Sequence, residues 1–297
     1  MDRLPAGHEP MRIALTGHSG AGLLLMSDHG RQFVRKQAGS EKQNPRLRLQ
    51  CEKLQQAHTQ GVPCPAVYRS GEDGGLFSFD MEYIPADSVA HALLAGRDLD
   101  WTTIVPPLFA LVDRYRQTSQ GTIPEAAFLT KLDSIAAACA LNDTLTPCLD
   151  RIEGIIAQLK NRAWGGIPLS DCHGDLTLEN ILMRRDGQIV FIDFDVPEQS
   201  SWWLDLAKLF QDLHGHWCAR HMILRAPESP ESLTAHLALS RAAARLEPLL
   251  YRLIPKGQER IWPLVAFHLL RTIPYANDRA IAEYVLQRID AVADGRL

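Results

Sequence analysis

The stretch "DCHGDLTLENILMRRDGQIVFIDFD", Asp171 to Asp195, decides how this sequence folds. His173, Asp175 and Asn180 stand close together in it, and Asp193 follows two apolar segments. Ile181–Arg184 and Gln188–Ile192 read as strands, with Asp186-Gly187 between them as a turn pair that accepts positive φ. A hairpin returns the residue after its second strand to the end where its first strand began. Asp193 is therefore predicted beside Asn180, and a carboxylate and an amide oxygen are the hard ligands that Mg²⁺ takes. Asp175, just ahead of them, suits a residue that orients an acceptor hydroxyl and takes its proton.

Composition leaves room for such an enzyme and narrows its setting. The chain has 297 residues, enough for one large domain or two lobes with a sizeable core. Apolar residues make up 46% and charged ones 22%, as in ordinary globular proteins, and the formal net charge of -4 points to no nucleic-acid partner. Runs such as "IVPPLFALV" are too short to span a bilayer. The start, "MDRLPAGHEPMRIAL", has no continuous apolar core of a secretory signal. Six cysteines lie scattered without a C-x-x-C pair, so a reduced, cytoplasmic protein is expected.

The chain changes character near Ile84. Before it, short strand-like segments are predicted at Arg12–Thr16, Gly22–Met26, Gln32–Gln37, Ala66–Arg69 and Leu76–Tyr83, with turn signals between them. One helix interrupts, from about Pro45 to Gln60. Beyond "YIPADS" the pattern is mostly helical. Ile152, Ile155, Ile156 and Leu159 form one amphipathic face, and longer helices are expected at Ser232–Tyr251 and Ile281–Val292. The predicted organisation is α+β: an N-terminal nucleotide-binding lobe, residues 1–84, and a helical catalytic and substrate-binding lobe, residues 85–297.

"HGDLTLENIL" resembles the catalytic loop H-x-D-x-x-x-x-N of the protein-kinase-like superfamily. "FIDFD" and "WLDLAKL" (Trp203 to Leu209) resemble the I-D-x-D/E and D-L-A segments of its aminoglycoside phosphotransferase and choline kinase branch. The resemblance implies a bilobal protein-kinase-like fold and an ATP-dependent (or GTP-dependent) phosphotransferase with Mg²⁺ on Asn180 and Asp193. Asp175 is then the catalytic base, His173 braces the catalytic loop, and Asp205 supports that loop by hydrogen bonds.

A second glycine-rich stretch, "ALTGHSGAGLLLM" (Ala14 to Met26), admits three readings: a serine-hydrolase elbow, a phosphate loop opening a helix, or a flap over a nucleotide. An elbow or a phosphate loop should lead into a helix. "LLLMSDHGRQFVRKQ" reads instead as strand, turn, strand, and position 21 is alanine, not the last glycine of an elbow. The resemblance places the stretch at the nucleotide flap, with Gly17, Ser19, Gly20 and Gly22 near phosphates. It also gives Lys36 to the α/β-phosphates and to a helix glutamate. Glu52 is the natural partner by type. Yet Leu47, Gln50, Leu54 and Ala57 form the inward stripe, so Gln50 stands at the usual position; both remain open. Glu82, Tyr83 and Ile84 fall at the hinge, where backbone groups would meet the base, with Ile192 among the apolar walls.

The acceptor is expected to be a small-molecule hydroxyl, carbohydrate-like in character. The tail from His221 balances its acids with Arg225, Arg241, Arg245, Arg252, Arg260 and Arg271, which disfavours a polycation. Trp202, Trp203, Arg271 and Tyr275 are candidates to line a sugar cleft. The sequence also resembles, more loosely, phosphotransferase-like proteins of bacterial surface-polysaccharide synthesis. Alternatives are an aminoglycoside or choline-type kinase, or a kinase-like binding protein with weak turnover. In "HGHWCARH", His214, Cys218 and His221 would share a face on a helix, a zinc-like spacing. Ordinary surface and core histidines are the reading taken.

Overall fold

The structure is a computed structural model that describes residues 11–15, 21–254 and 257–293. The chain divides into two compact units. The first comprises the described part of Met1–Ala86 together with Arg184–Asp186 and Val190–Val196; the second comprises Asp87–Met183, Gly187–Ile189 and the described part of Pro197–Leu297. Residues 184–186 and 190–196 thus pack with the first unit, because their partners lie there. The Phe191 N–H donates to the Pro63 carbonyl at 2.8 Å, and the Arg184 guanidinium meets the Glu82 carboxylate at 2.8 Å.

The first unit is built on a five-stranded antiparallel sheet. Its strands are β1 (Met11–Leu15), β2 (Gly22–Asp28), β3 (Arg31–Gln37), β4 (Val67–Asp73) and β5 (Leu76–Glu82), in the order β1-β2-β3-β5-β4. Helix α1 (Asn44–Thr59) starts with Pro45 in its first turn, where a missing N–H does no harm. Its inward stripe is Leu47, Gln50, Cys51, Leu54 and Ala57, and it packs on β4 and β5. The two-residue period of β3 sends neighbouring side chains to opposite faces. Lys36 lies buried, paired in register with Leu23 and Phe79. Arg35 faces Asp80 across the strands and grips it with two bonds of 2.7 and 2.9 Å, while Arg69 adds a third at 2.5 Å. Burial pushes Asp80 up, but these guanidinium bonds outweigh it and hold the carboxyl below its usual range.

The second unit is mainly helical. It contains β6 (Asp87–Ser88), α2 (Val89–Leu94), α3 (Trp101–Gln117), α4 (Glu125–Ala140), α5 (Leu149–Lys160), β7 (Ile181–Met183) and the start of β8 (Ile189–Phe191). Then follow α6 (Trp202–Leu213), α7 (Arg220–Arg225), α8 (Pro230–Leu250), α9 (Gln258–Leu270) and α10 (Arg279–Ala293). The short strands lie in the order β6-β7-β8, and Gly187 takes the φ of 84° that the turn before β8 needs. The predicted apolar face of α5 is buried. Phe128 stacks on Trp164 at 4.8 Å, and Phe267 meets both edge-on.

Helix α6 lies in the middle of this core, against α8 and α9. Ser201 caps it by accepting from the Trp203 N–H. Every one of its residues except Lys208 is buried. A helix apolar on nearly all sides belongs in an interior, since burying one such side chain stabilises by about 1.5–3 kcal/mol. The polar residues on a helix so enclosed therefore need specific partners.

Candidate active site

Asp205, Lys208 and Asp212 are spaced i, i+3 and i+7 along α6, so they share one stripe. The loop from His173 to Leu178 is pinned along that stripe. Asp205, buried, accepts from the backbone N–H of His173 at 2.5 Å and of Gly174 at 2.8 Å. Asp212, fully buried, accepts from the Leu178 N–H at 2.7 Å and from the Cys218 N–H at 3.1 Å. Burial, then the charge of Glu179, pushes the Asp212 carboxyl up to about 7. Gly174, with φ at 95°, turns the chain where a side chain would be strained.

Within this frame Asp175 is held from both sides. Its Oδ1 lies 3.1 Å from the Lys208 ammonium, and its Oδ2 accepts from Asn180 Nδ2 at 3.0 Å. The same Asn180 amide also donates to the Asp175 carbonyl at 2.8 Å, and the Asp175 N–H points to His173 Nδ1 at 3.3 Å. His173 is fully buried and acts on the loop's shape; the Asp175 carboxylate, by contrast, stays about a third exposed. An ionised carboxylate has about four acceptor positions, so two bonds leave it able to accept from a hydroxyl.

The remaining predicted residues lie in the first unit. Lys36 Nζ meets Asp193 Oδ1 at 2.5 Å, so the strand lysine pairs with the residue that follows β8. Asp193 has a φ of 60°, a left-handed conformation costly for a residue with a Cβ and held by its surroundings. The expected lysine–glutamate pair is corrected: Glu52 sits on the exposed face of α1. Gln50 does face inward, but it donates to Asp195 Oδ1 at 2.6 Å and leaves Lys36 to Asp193. Asp195 also binds Arg46 at 2.6 Å, and its carbonyl accepts from Lys53. Burial pushes Asp195 up, yet the bonds from Arg46 and Gln50 bring it below the usual carboxylate range. Asp195 thus ties its loop to α1.

In the segment expected at the hinge, the Glu82 N–H donates to the Ala66 carbonyl at 2.8 Å; Ile84 is buried, and Tyr83 and Ile192 are half-buried. Gly22 opens β2 opposite Gln37. Gly17, Ser19 and Gly20 lie outside the described residues.

One sequence expectation fails on packing. Trp202 and Trp203 are buried in α6, so they build the core and do not line a cleft; Tyr275 is exposed. The "HGHWCARH" segment is not one helix. α6 ends at Leu213, His216 takes a left-handed φ of 51°, and α7 begins at Arg220. His216 Nδ1 instead meets His236 Nδ1 at 2.7 Å, and burial pushes His216 down to about 3. Among the described residues no cluster of three or more His, Cys, Asp or Glu side chains is arranged for a metal.

Asn180 in the second unit and Asp193 in the first each carry an oxygen of the kind a hard divalent cation takes. Asn180 spends its amide N–H groups on Asp175, leaving its carbonyl oxygen, the ligand atom, outside those bonds. Asp193 is bonded through Oδ1 and keeps about a third of its side chain exposed.

Sequence comparison places the chain in a class. The model of the phosphotransferase enzyme family matches residues 13–249, so the chain belongs to that family. Its fold is the protein-kinase-like α+β fold, a small antiparallel-sheet unit followed by a mostly helical one. Similar solved structures include a thermostable mutant of the aminoglycoside phosphotransferase APH(4)-Ia with AMP-PNP and hygromycin B. That match has a TM-score of 0.62 and 14% identity, covering 96% of this chain and 93% of the other. Choline kinase LicA from Streptococcus pneumoniae matches with a TM-score of 0.57 and 16% identity, over 97% and 93%. An aminoglycoside-3'-phosphotransferase of type VIII matches with a TM-score of 0.51 and 20% identity, over 77% and 92%. No curated protein matches the sequence. No helix among the described residues is long and apolar enough to cross a membrane.

Proposed function

We propose that this protein moves the γ-phosphoryl group of ATP (or GTP) to a hydroxyl of a small acceptor, a sugar or sugar-derived molecule. The observation that carries this reading is the Asp175 carboxylate, fixed by Lys208 and Asn180 yet partly exposed, in a member of a phosphotransferase family. Asp175 orients the acceptor hydroxyl and takes its proton as the oxygen bonds to phosphorus and the nucleoside diphosphate leaves. Lys36 contacts the α/β-phosphates, and Glu82, Tyr83, Ile84 and Ile192 surround the base. Gly22, with the glycine-rich stretch before it in sequence, is assigned to phosphate contact. Asn180 and Asp193 would hold Mg²⁺, which when bound would offset phosphate charge. The nucleotide analogue in the APH(4)-Ia complex supports a nucleotide here.

The sugar class rests on charge. The base has a cation, Lys208, against it, and Asp195, the next acid along the loop from Asp193, is consumed by Arg46 and Gln50. Acids paired in this way attract a cationic acceptor less. The deciding experiment follows Mg·ATP and Mg·GTP consumption against separate pools of sugars, aminoglycosides and amino alcohols. Acceptor-dependent turnover with the sugar pool is expected. Turnover only with another pool would overturn the acceptor class, and no turnover and no nucleotide binding would overturn the reading altogether.

A further inference from the structure

Lys208 is the one residue of α6 that the core does not bury, and it stands between two acids that each anchor the same loop. Asp205 holds the loop's start through the His173 and Gly174 N–H groups, and Asp212 holds it three residues beyond Asp175 through the Leu178 N–H. Both of those contacts fix backbone. The contact of Lys208 alone is with a side chain, the Asp175 carboxylate, at 3.1 Å. Asn180 grips the opposite oxygen of that carboxylate. A carboxylate held through one oxygen still swings about its side-chain bonds; one held through both oxygens has its plane fixed. Its rigid mounting, α6, is itself fixed by packing on α8 and α9.

We propose that Lys208 is a positioning residue for phosphoryl transfer: it sets the orientation of the Asp175 carboxylate and keeps a positive charge beside the attacking hydroxyl. This rests on the reading of Asp175 as the base. The effect of orientation on a proton transfer is felt in the chemical step and not in nucleotide affinity, because the contact of Lys208 is with the Asp175 carboxylate. Lys208 is partly exposed, so its loss leaves no buried cavity of consequence and the fold should survive.

The test compares Lys208→Met and Lys208→Arg with the unaltered protein, using Mg·ATP as the probe and water, glucose, galactose and mannose as acceptors. Lys208→Met is expected to lower kcat by about ten- to a hundredfold, the range in which a misplaced catalytic group is felt. The KM for Mg·ATP should stay within about twofold and Tm within a few degrees; Lys208→Arg, which keeps the charge, should recover much of the rate. A second readout needs no turnover: hydrogen exchange of the peptide spanning 173–180 should rise in Lys208→Met and return toward normal in Lys208→Arg. An unchanged kcat in the Met variant, a parallel change in KM, or no rescue by arginine would overturn the proposal. If the unaltered protein turns nothing over and binds no Mg·AMP-PNP, the phosphotransferase reading falls by itself. In that case faster exchange with preserved Tm still supports Lys208 as the clamp on Asp175, and unchanged exchange overturns it.

Discussion

Lys36 on β3 and Asp193 after β8 form an ion pair with Nζ and Oδ1 2.5 Å apart, although Lys36 is 4% exposed and Asp193 37%. A buried ammonium needs a counter-charge, and here the carboxylate supplies it without the helix glutamate. Phosphates would compete for the same ammonium. Lys36→Met is therefore expected to weaken Mg·AMP-PNP binding by about ten- to a hundredfold, the worth of one hydrogen bond to a charged group. Calorimetric titration measures it, and an unchanged affinity would remove Lys36 from the nucleotide site.

Asp175→Asn keeps the shape of the side chain and removes its basicity. Turnover should drop by about two to four orders of magnitude, with nucleotide affinity nearly unchanged. Single-turnover kinetics beside equilibrium binding separate the two, and full activity would dismiss Asp175 as the base.

Asp205→Ala strips two backbone N–H groups, those of His173 and Gly174, of their buried acceptor. Each orphaned donor costs about 1–3 kcal/mol, so the variant should lose at least about 2 kcal/mol in urea unfolding. Asp205→Asn keeps one acceptor oxygen and should lose less. Equal losses in both variants would show that the two bonds are not what Asp205 contributes.

What the sequence disclosed and what it hid divide along physical lines. Motif spacing singled out Asp175, Asn180 and Asp193 as candidates, because local chain geometry constrains a loop followed by a hairpin. Asp205 was legible through the resemblance of "WLDLAKL" to the D-L-A segment, and its bonds to His173 and Gly174 are present. The partner of Lys36 was not, since it depends on which residues of α1 meet a loop more than a hundred positions away; Asp195 draws in Arg46 and Gln50 instead. Lys208 and Asp212 were missed, although their spacing from Asp205 places them on one helix stripe. The tryptophans misled for a related reason: without α9 in view, nothing in "SWWLDL" says that both faces of the helix are covered.

Asp212 gives the protein a pH signature. Its carboxyl is pushed up to about 7 in the fold, above the roughly 4 of an unfolded chain. Between those values the folded state binds the extra proton, so stability from this group falls as pH rises from about 4 to about 7 and is level above that. Asp212→Asn cannot titrate there. The difference in Tm between the unaltered protein and Asp212→Asn should therefore favour the unaltered protein at pH 5 and shrink or reverse by pH 8. A difference that is flat across this range would show that Asp212 stays ionised in the fold.

The acceptor's charge supplies the last prediction. Binding a polycation requires several carboxylates left free for it, since an unpaired charge taken out of water costs several kcal/mol. Several acids that could serve are already paired with cations. Asp175 has Lys208 against it, Asp195 has Arg46, and Glu198 lies near Lys131 at 3.3 Å. Arg271, half-buried at the end of α9, adds no attraction for a cation. A neutral sugar asks only for hydrogen-bond donors and acceptors, which these same groups can give. In a comparison of kcat/KM at low ionic strength, where attraction of a polycation is least screened, sugar-type hydroxyls should be phosphorylated faster than kanamycin. Lys208→Met should narrow that gap by exposing the charge of Asp175, even as it slows both reactions. If kanamycin is the better acceptor in the unaltered protein, the sugar assignment is wrong and the phosphoryl-transfer chemistry of Asp175 is untouched. If the gap does not move in Lys208→Met, acceptor selection does not run through the charge at the base.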